Sequence, residues 1–72
     1  MIDNYINDEL NMMNKIGLEY DFQMSKELYQ QARGEIKHFI QNGGNLVKKE
    51  DYPKFEDYCR QVFEKYLPNG GN

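Results

Sequence analysis

Apolar residues recur at three- and four-residue spacing in three stretches of this chain, and clusters of Gly, Asn and Pro separate the stretches. That rhythm is the period of an α-helix with one buried face, and no stretch alternates as a strand would. The spacing therefore predicts an all-α fold, a small three-helix bundle with helices at roughly 3–16, 22–41 and 53–67.

The first segment places Ile2, Tyr5, Ile6, Leu10, Met12, Met13 and Ile16 on one face. Asp3 is expected as its N-cap, and Gly17 as the left-handed residue that closes it. The second segment starts at Phe22 or Ser25 and runs to Gln41, where Asn42-Gly43 is a strong stop. Its expected apolar face is Phe22, Leu28, Tyr29, Ala32, Ile36, Phe39 and Ile40. At about 20 residues and about 30 Å it would be the longest of the three. Gly34 inside it marks a place for close packing or a bend. The third segment is the most regular, with Phe55, Tyr58, Cys59, Val62, Phe63, Tyr66 and Leu67 in phase. Pro53 suits its first turn and Pro68 disfavours its continuation. A linker of about ten residues, Asn42 to Asp51, joins the last two segments, and Leu46 and Val47 within it are expected to fold back onto the core. An early helical start at Lys48-Lys49-Glu50-Asp51 is the alternative there.

Seventy-two residues allow one domain, with a flexible Pro/Gly/Asn tail expected at about 68–72. A core this small supplies only about 3–5 kcal/mol, so small domains often add a staple. Cys59 is the only cysteine, which excludes an internal disulfide and a cysteine-based zinc site. Self-association, as a homodimer, is the staple left open.

The formal charge of −3 argues against a bulk-charge nucleic-acid binder and is too small for a DNA mimic. No apolar run approaches a membrane span, and the first fifteen residues lack the basic start and apolar stretch of a secretion signal. With a single free cysteine, the cytoplasm is the expected compartment. Plentiful Asn, Lys, Tyr and Ile, which have AT-rich codons, point to a bacterial, phage or mobile-element source.

Catalytic and cofactor chemistry find no foothold. Cys59 sits mid-face among Phe55, Val62 and Phe63, the setting of a buried hydrophobe rather than a nucleophile. Glu35 and His38 share the E-x-x-H spacing of di-metal bundles, but the motif occurs once and the chain has one His. Gly43-Gly44 lacks the Lys and Ser/Thr of a phosphate loop. The sequence thus predicts no enzyme, no cofactor and no metal.

Contact surfaces remain. Asn4, Asn7, Asn11 and Asn14 form one stripe opposite the first segment's apolar face. Asparagine is a poor helix former, at about 0.5 kcal/mol per exposed position relative to Ala, so such a stripe either binds a partner through its amides or reflects drift in an AT-rich genome. Glu9 lies within the apolar face itself and needs a partner if buried. Six Tyr and four Phe exceed what so small a core needs, and tyrosine is a common interface anchor. The expected partner-binding set is therefore Asn4, Tyr5, Asn7, Glu9, Asn11, Met12 and exposed tyrosines such as Tyr20 and Tyr52. Lys26, Arg33 and Lys37 line one stripe of the second segment. They either pack against the acidic first segment, where residues 1–22 carry a net −4, or contact nucleic acid together with Lys48, Lys49 and Lys54.

The functional expectation is a small helical protein that binds another protein as an adaptor, regulator or inhibitor. The alternatives are a nucleic-acid-binding accessory protein and a structural subunit of a larger assembly.

Overall fold

The computed structural model describes residues 3–42 and 49–68, with residues 3–6 and 49 described as backbone only. Three α-helices pack on one another as a bundle of 39 × 19 × 18 Å, as the three-segment spacing predicts. They are α1 (Asp3–Tyr20), α2 (Lys26–Gln41) and α3 (Tyr52–Lys65). Short 3₁₀ turns at Asp21–Gln23 and Lys49–Asp51 lead into α2 and α3, the second at the place where an early helical start was the alternative. The expected fold-back of Leu46 and Val47 and the tail beyond Pro68 lie outside the described residues.

The first helix does not end at Ile16. It passes through Gly17 and continues to Tyr20, which makes α1, at 18 residues, longer than the 16-residue α2. The reason is packing. A Cβ at Gly17 would come within 2.7 Å of the Tyr29 hydroxyl and 3.1 Å of Phe63 Cζ, so the absent side chain lets α2 and α3 close on α1 here. One turn on, Tyr20 is only 7% exposed. Its ring stacks on Phe63 at 5.5 Å between centroids, and its hydroxyl donates to Glu64 Oε2 at 2.9 Å. These contacts outweigh the penalty of about 1 kcal/mol for a glycine within a helix.

Phe22 does not belong to the apolar face of the second helix. It stands in the 3₁₀ turn and is 83% exposed. Helix α2 starts at Lys26, where the Ser25 hydroxyl accepts the Leu28 amide at 3.2 Å. It ends where the Asn42 amide donates to His38 O at 3.0 Å. The glycine of α2 serves no close approach, because a Cβ on Gly34 would meet nothing within 4 Å. In α3, Pro53 occupies the first turn, and the amides of Tyr66 and Leu67 close the far end on Phe63 O and Glu64 O.

The core has two aromatic centres. Tyr20 and Tyr29 stack on Phe63, and Phe39, Phe55 and Tyr58 cluster with the Phe39 and Tyr58 centroids 4.4 Å apart. Met13, Ile16, Ala32, Ile36, Ile40, Cys59 and Val62 fill the space among the helices. Polar bonds then join the helices at the rim. Tyr52 donates to Asp8, Arg60 bridges Glu19 and Glu56, and Glu35 receives both Lys65 and the Tyr66 hydroxyl.

A candidate contact surface on helix α1

Helix α1 has two unlike sides. Toward its neighbours it presents Glu9, Met13, Ile16, Gly17 and Tyr20, all buried; away from them it presents Asn7, Asn11 and Asn14, all exposed. Asn4 continues that outer row by helical position. The row runs further than the asparagines: Leu18 follows Asn14 by four residues and is 69% exposed, and Phe22 follows Leu18 by four. These two are the exposed large apolar side chains of the described residues. The outer side of α1 is thus an uncharged amide strip that ends in the exposed Leu18, with the exposed Phe22 in the 3₁₀ turn just beyond. Leu18 escaped the sequence reading although the signal was there, since positions 4, 7, 11, 14 and 18 keep a three-four-three-four spacing.

The predicted contact residues divide between the two sides. Asn7 and Asn11 are in solvent, and Asn14 Oδ1 accepts Arg33 Nη2 at 2.7 Å. Glu9 is 3% exposed inside the bundle, so it is not a surface group. Tyr20, expected in solvent, is a core residue for the reasons given above. Met12 is half-buried against the core, and Tyr52 is half-buried with its hydroxyl on Asp8. The side chains of Asn4 and Tyr5 lie outside the described residues. Helical geometry explains the split: Glu9, Met12 and Tyr20 lie on the far side of the helix from the asparagine row.

The basic stripe of α2 is broken in the same way. Arg33 is half-buried, its guanidinium 5.8 Å from the Tyr29 ring centroid and bonded to Asn14, so it is committed to the α1–α2 contact. The expectation that the stripe packs on acids of the first helix is therefore corrected: its one anchored member meets a neutral amide. Lys26 and Lys37 are exposed and make no ion pair among the described residues.

The remaining chemistry-bearing side chains are engaged in the fold. Cys59 is fully buried, and its thiol is pushed up to about 12, first by burial and then by the nearby charges of Glu9 and Glu56. A thiol so held is protonated at neutral pH and a poor nucleophile. Glu35 and His38 do not act together. The Lys65 ammonium and then the Tyr66 hydroxyl hold the Glu35 carboxyl below its ordinary range, whereas His38 Nε2 lies 2.9 Å from Asn42 Nδ2. Among the described residues no group of three or more His, Cys, Asp or Glu is placed to hold a metal ion. A groove of about 230 Å³ between α2 and α3 is lined by Glu35, Tyr58, Gln61, Val62 and Lys65, and it is open to solvent. A second, of about 60 Å³ beside Phe39 and Phe55, is far smaller than the several hundred Å³ of an ordinary ligand pocket. No helix of the described residues is long and apolar enough to cross a membrane.

Fold and surface together define a three-helix bundle with an uncharged, partly apolar outer helix face. No protein-family model, curated protein or solved structure matches the chain.

Proposed function

We propose that this protein is a non-enzymatic, cytoplasmic helical contact protein, of the adaptor, regulator or inhibitor kind, that binds another protein chain through the outer face of α1. The observation that carries this reading is the exposure of Leu18 at the end of an asparagine row and of Phe22 in the 3₁₀ turn that follows. Neither side chain contributes to the bundle's core, and both are large enough to anchor a contact. Asn7 and Asn11 beside them offer donors and acceptors without the desolvation penalty of charge. The inert burial of Cys59 supports action by contact rather than catalysis.

Nucleic-acid binding is the second reading, favoured by two exposed lysines, Lys26 and Lys37, that make no ion pair among the described residues. With Arg33 committed to the fold, they are about 16 Å apart along the helix by the helical rise, a sparse footprint for a phosphate backbone.

A tagged pull-down from the native host, with and without nuclease, tests both readings. A stoichiometric protein that survives nuclease and is lost with Leu18→Asp plus Phe22→Asp supports the contact surface. Both positions are exposed, so the variant should keep its helical circular dichroism and its stability within about 0.5 kcal/mol. Capture that disappears on nuclease treatment, or with Lys26→Glu plus Lys37→Glu, and collapses between about 50 and about 200 mM salt, would transfer the function to α2.

A further inference from the structure

Resting on the reading that the outer face of α1 is a contact surface, we infer that its occupant is a second copy of this chain, laid antiparallel so that the two α1 helices pair about a two-fold axis. Positions 4, 7, 11, 14 and 18 have the alternating three-four spacing that forms the seam between two helices. Asn7 and Asn11 each offer both a donor and an acceptor, and Asn14, whose Oδ1 already holds Arg33, keeps its amide donor, so the row complements itself and needs no partner of different chemistry. An isologous pair asks for this kind of self-complementary patch.

The flanking charges set the direction. Asp8 and Lys15 lie on one flank of the row, the flank next to α3, where Tyr52 bonds Asp8 and Arg60 bonds Glu19. They stand seven residues apart and on opposite sides of the row's midpoint between Asn11 and Asn14. In a parallel pair this flank would face the second copy's opposite flank, so Asp8 and Lys15 would not meet each other's counterparts. An antiparallel pair sets each Lys15 beside the second copy's Asp8, twice over. Lys15 is exposed and makes no ion pair among the described residues, so it is available for that role. In the register that pairs Asn11 with the second copy's Asn14, Leu18 covers the second copy's Asn7. Polar residues in a helix seam lower affinity and fix orientation. One helix face also buries less than the ~800 Å² per partner of a stable interface, so the pair is a reversible one.

Sedimentation equilibrium of the full chain tests this, with a dimer expected at about 500 µM and mostly monomer at about 5 µM, as befits a small interface. Lys15→Glu, which places Glu beside Asp8 across the axis, should weaken the dimer about tenfold and leave the circular dichroism unchanged. Under mild oxidation, a mixture of Asn11→Cys and Asn14→Cys should form a mixed disulfide dimer, with the buried Cys59 taking no part. Leu18→Cys alone should not link to itself, because an antiparallel pair holds those positions about 16 Å apart along the axis. A monomer at about 500 µM, a dimer indifferent to Lys15→Glu, or a self-linked Leu18→Cys would each overturn the pairing. The contact-surface reading is judged separately: foreign-protein capture that is lost with Leu18→Asp plus Phe22→Asp would leave it standing on a monomer.

Discussion

On the side of α1 that meets α2 and α3, Met13, Ile16 and Tyr20 are buried and even the glycine is there to make room; on the opposite side Asn7, Asn11 and Leu18, with Phe22 in the turn beyond, do nothing for the bundle. One helix thus shows what folding alone asks of a sequence and what is left over when folding is satisfied. The inner side is over-determined, since its residues lie in the core that the three helices share. The outer side is under-determined by the fold and yet not generic. A solvated helix face is ordinarily filled with Glu, Lys, Arg and Ala, which favour the helix, whereas this one carries amides that disfavour it and apolar groups that water disfavours.

The sharpest break of that comparison is on the inner side. Phe63 is fully buried between Tyr20 and Tyr29, so Phe63→Ala should lose about 3–5 kcal/mol, as much as a core of this size supplies. Far-UV circular dichroism at room temperature should show a largely unfolded chain; a folded variant would mean that the stack does not hold the bundle together. The two glycines give opposite signs next. Gly17→Ala should lose about 1 kcal/mol, because the new methyl meets Phe63, which has no room to retreat, and this outweighs the gain in helix propensity. Gly34→Ala, in open space, should gain about 0.5–1 kcal/mol. Equal shifts in urea midpoint would erase the distinction between a packed and an open helix glycine.

On the outer side, Asn7→Ala plus Asn11→Ala should raise stability by about 1 kcal/mol, or a few degrees in Tm, while weakening association. A gain in Tm with association unchanged would return the amide row to neutral drift. The smallest effect is the acid limb. Arg60 holds Glu19, and Lys65 with Tyr66 holds Glu35, below the ordinary value of 4.5. Between that value and the lower folded ones the unfolded chain binds more protons. Stability is therefore present in full above 4.5 and is lost as pH falls through the folded values. Both pairs are solvent-exposed and screened, so the drop in urea midpoint between about pH 5 and about pH 3 should be shallow and should flatten in high salt.

Much of the fold was legible locally. The period of α3, Pro53 in its first turn and Asn42 after α2 are signals that sit within a few residues of what they specify. The misread points, Gly17, Tyr20 and Phe22, form one cluster. Gly17 has the local chemistry of a helix end, and only the proximity of Phe63, forty-six residues on, makes it an interior position. Once the helix is ended there, Phe22 falls to the next segment and Tyr20 to a loop. Phe22 also shows that apolar residues need not be inside. Of the contact surface, the asparagine row was legible because its spacing is local, and Leu18 follows from the same spacing. The commitment of Arg33 to Asn14 and Tyr29 was not, because it depends on how α1 and α2 come together.

The rim bonds have an optical consequence. Tyr20, Tyr52 and Tyr66 each hand their hydroxyl proton toward a carboxylate, on Glu64, Asp8 and Glu35 in turn. A phenol in that arrangement is a poor emitter, because its excited state passes the proton on instead of radiating. The chain has six tyrosines and no tryptophan, so no indole collects or masks their light. The native protein should therefore be dim and the unfolded one brighter, the inverse of the usual tryptophan signal. Tyr20 and Tyr52 report two places along the α1–α3 junction and Tyr66 reports the contact with α2, and replacing them one at a time by Phe would reveal which opens first.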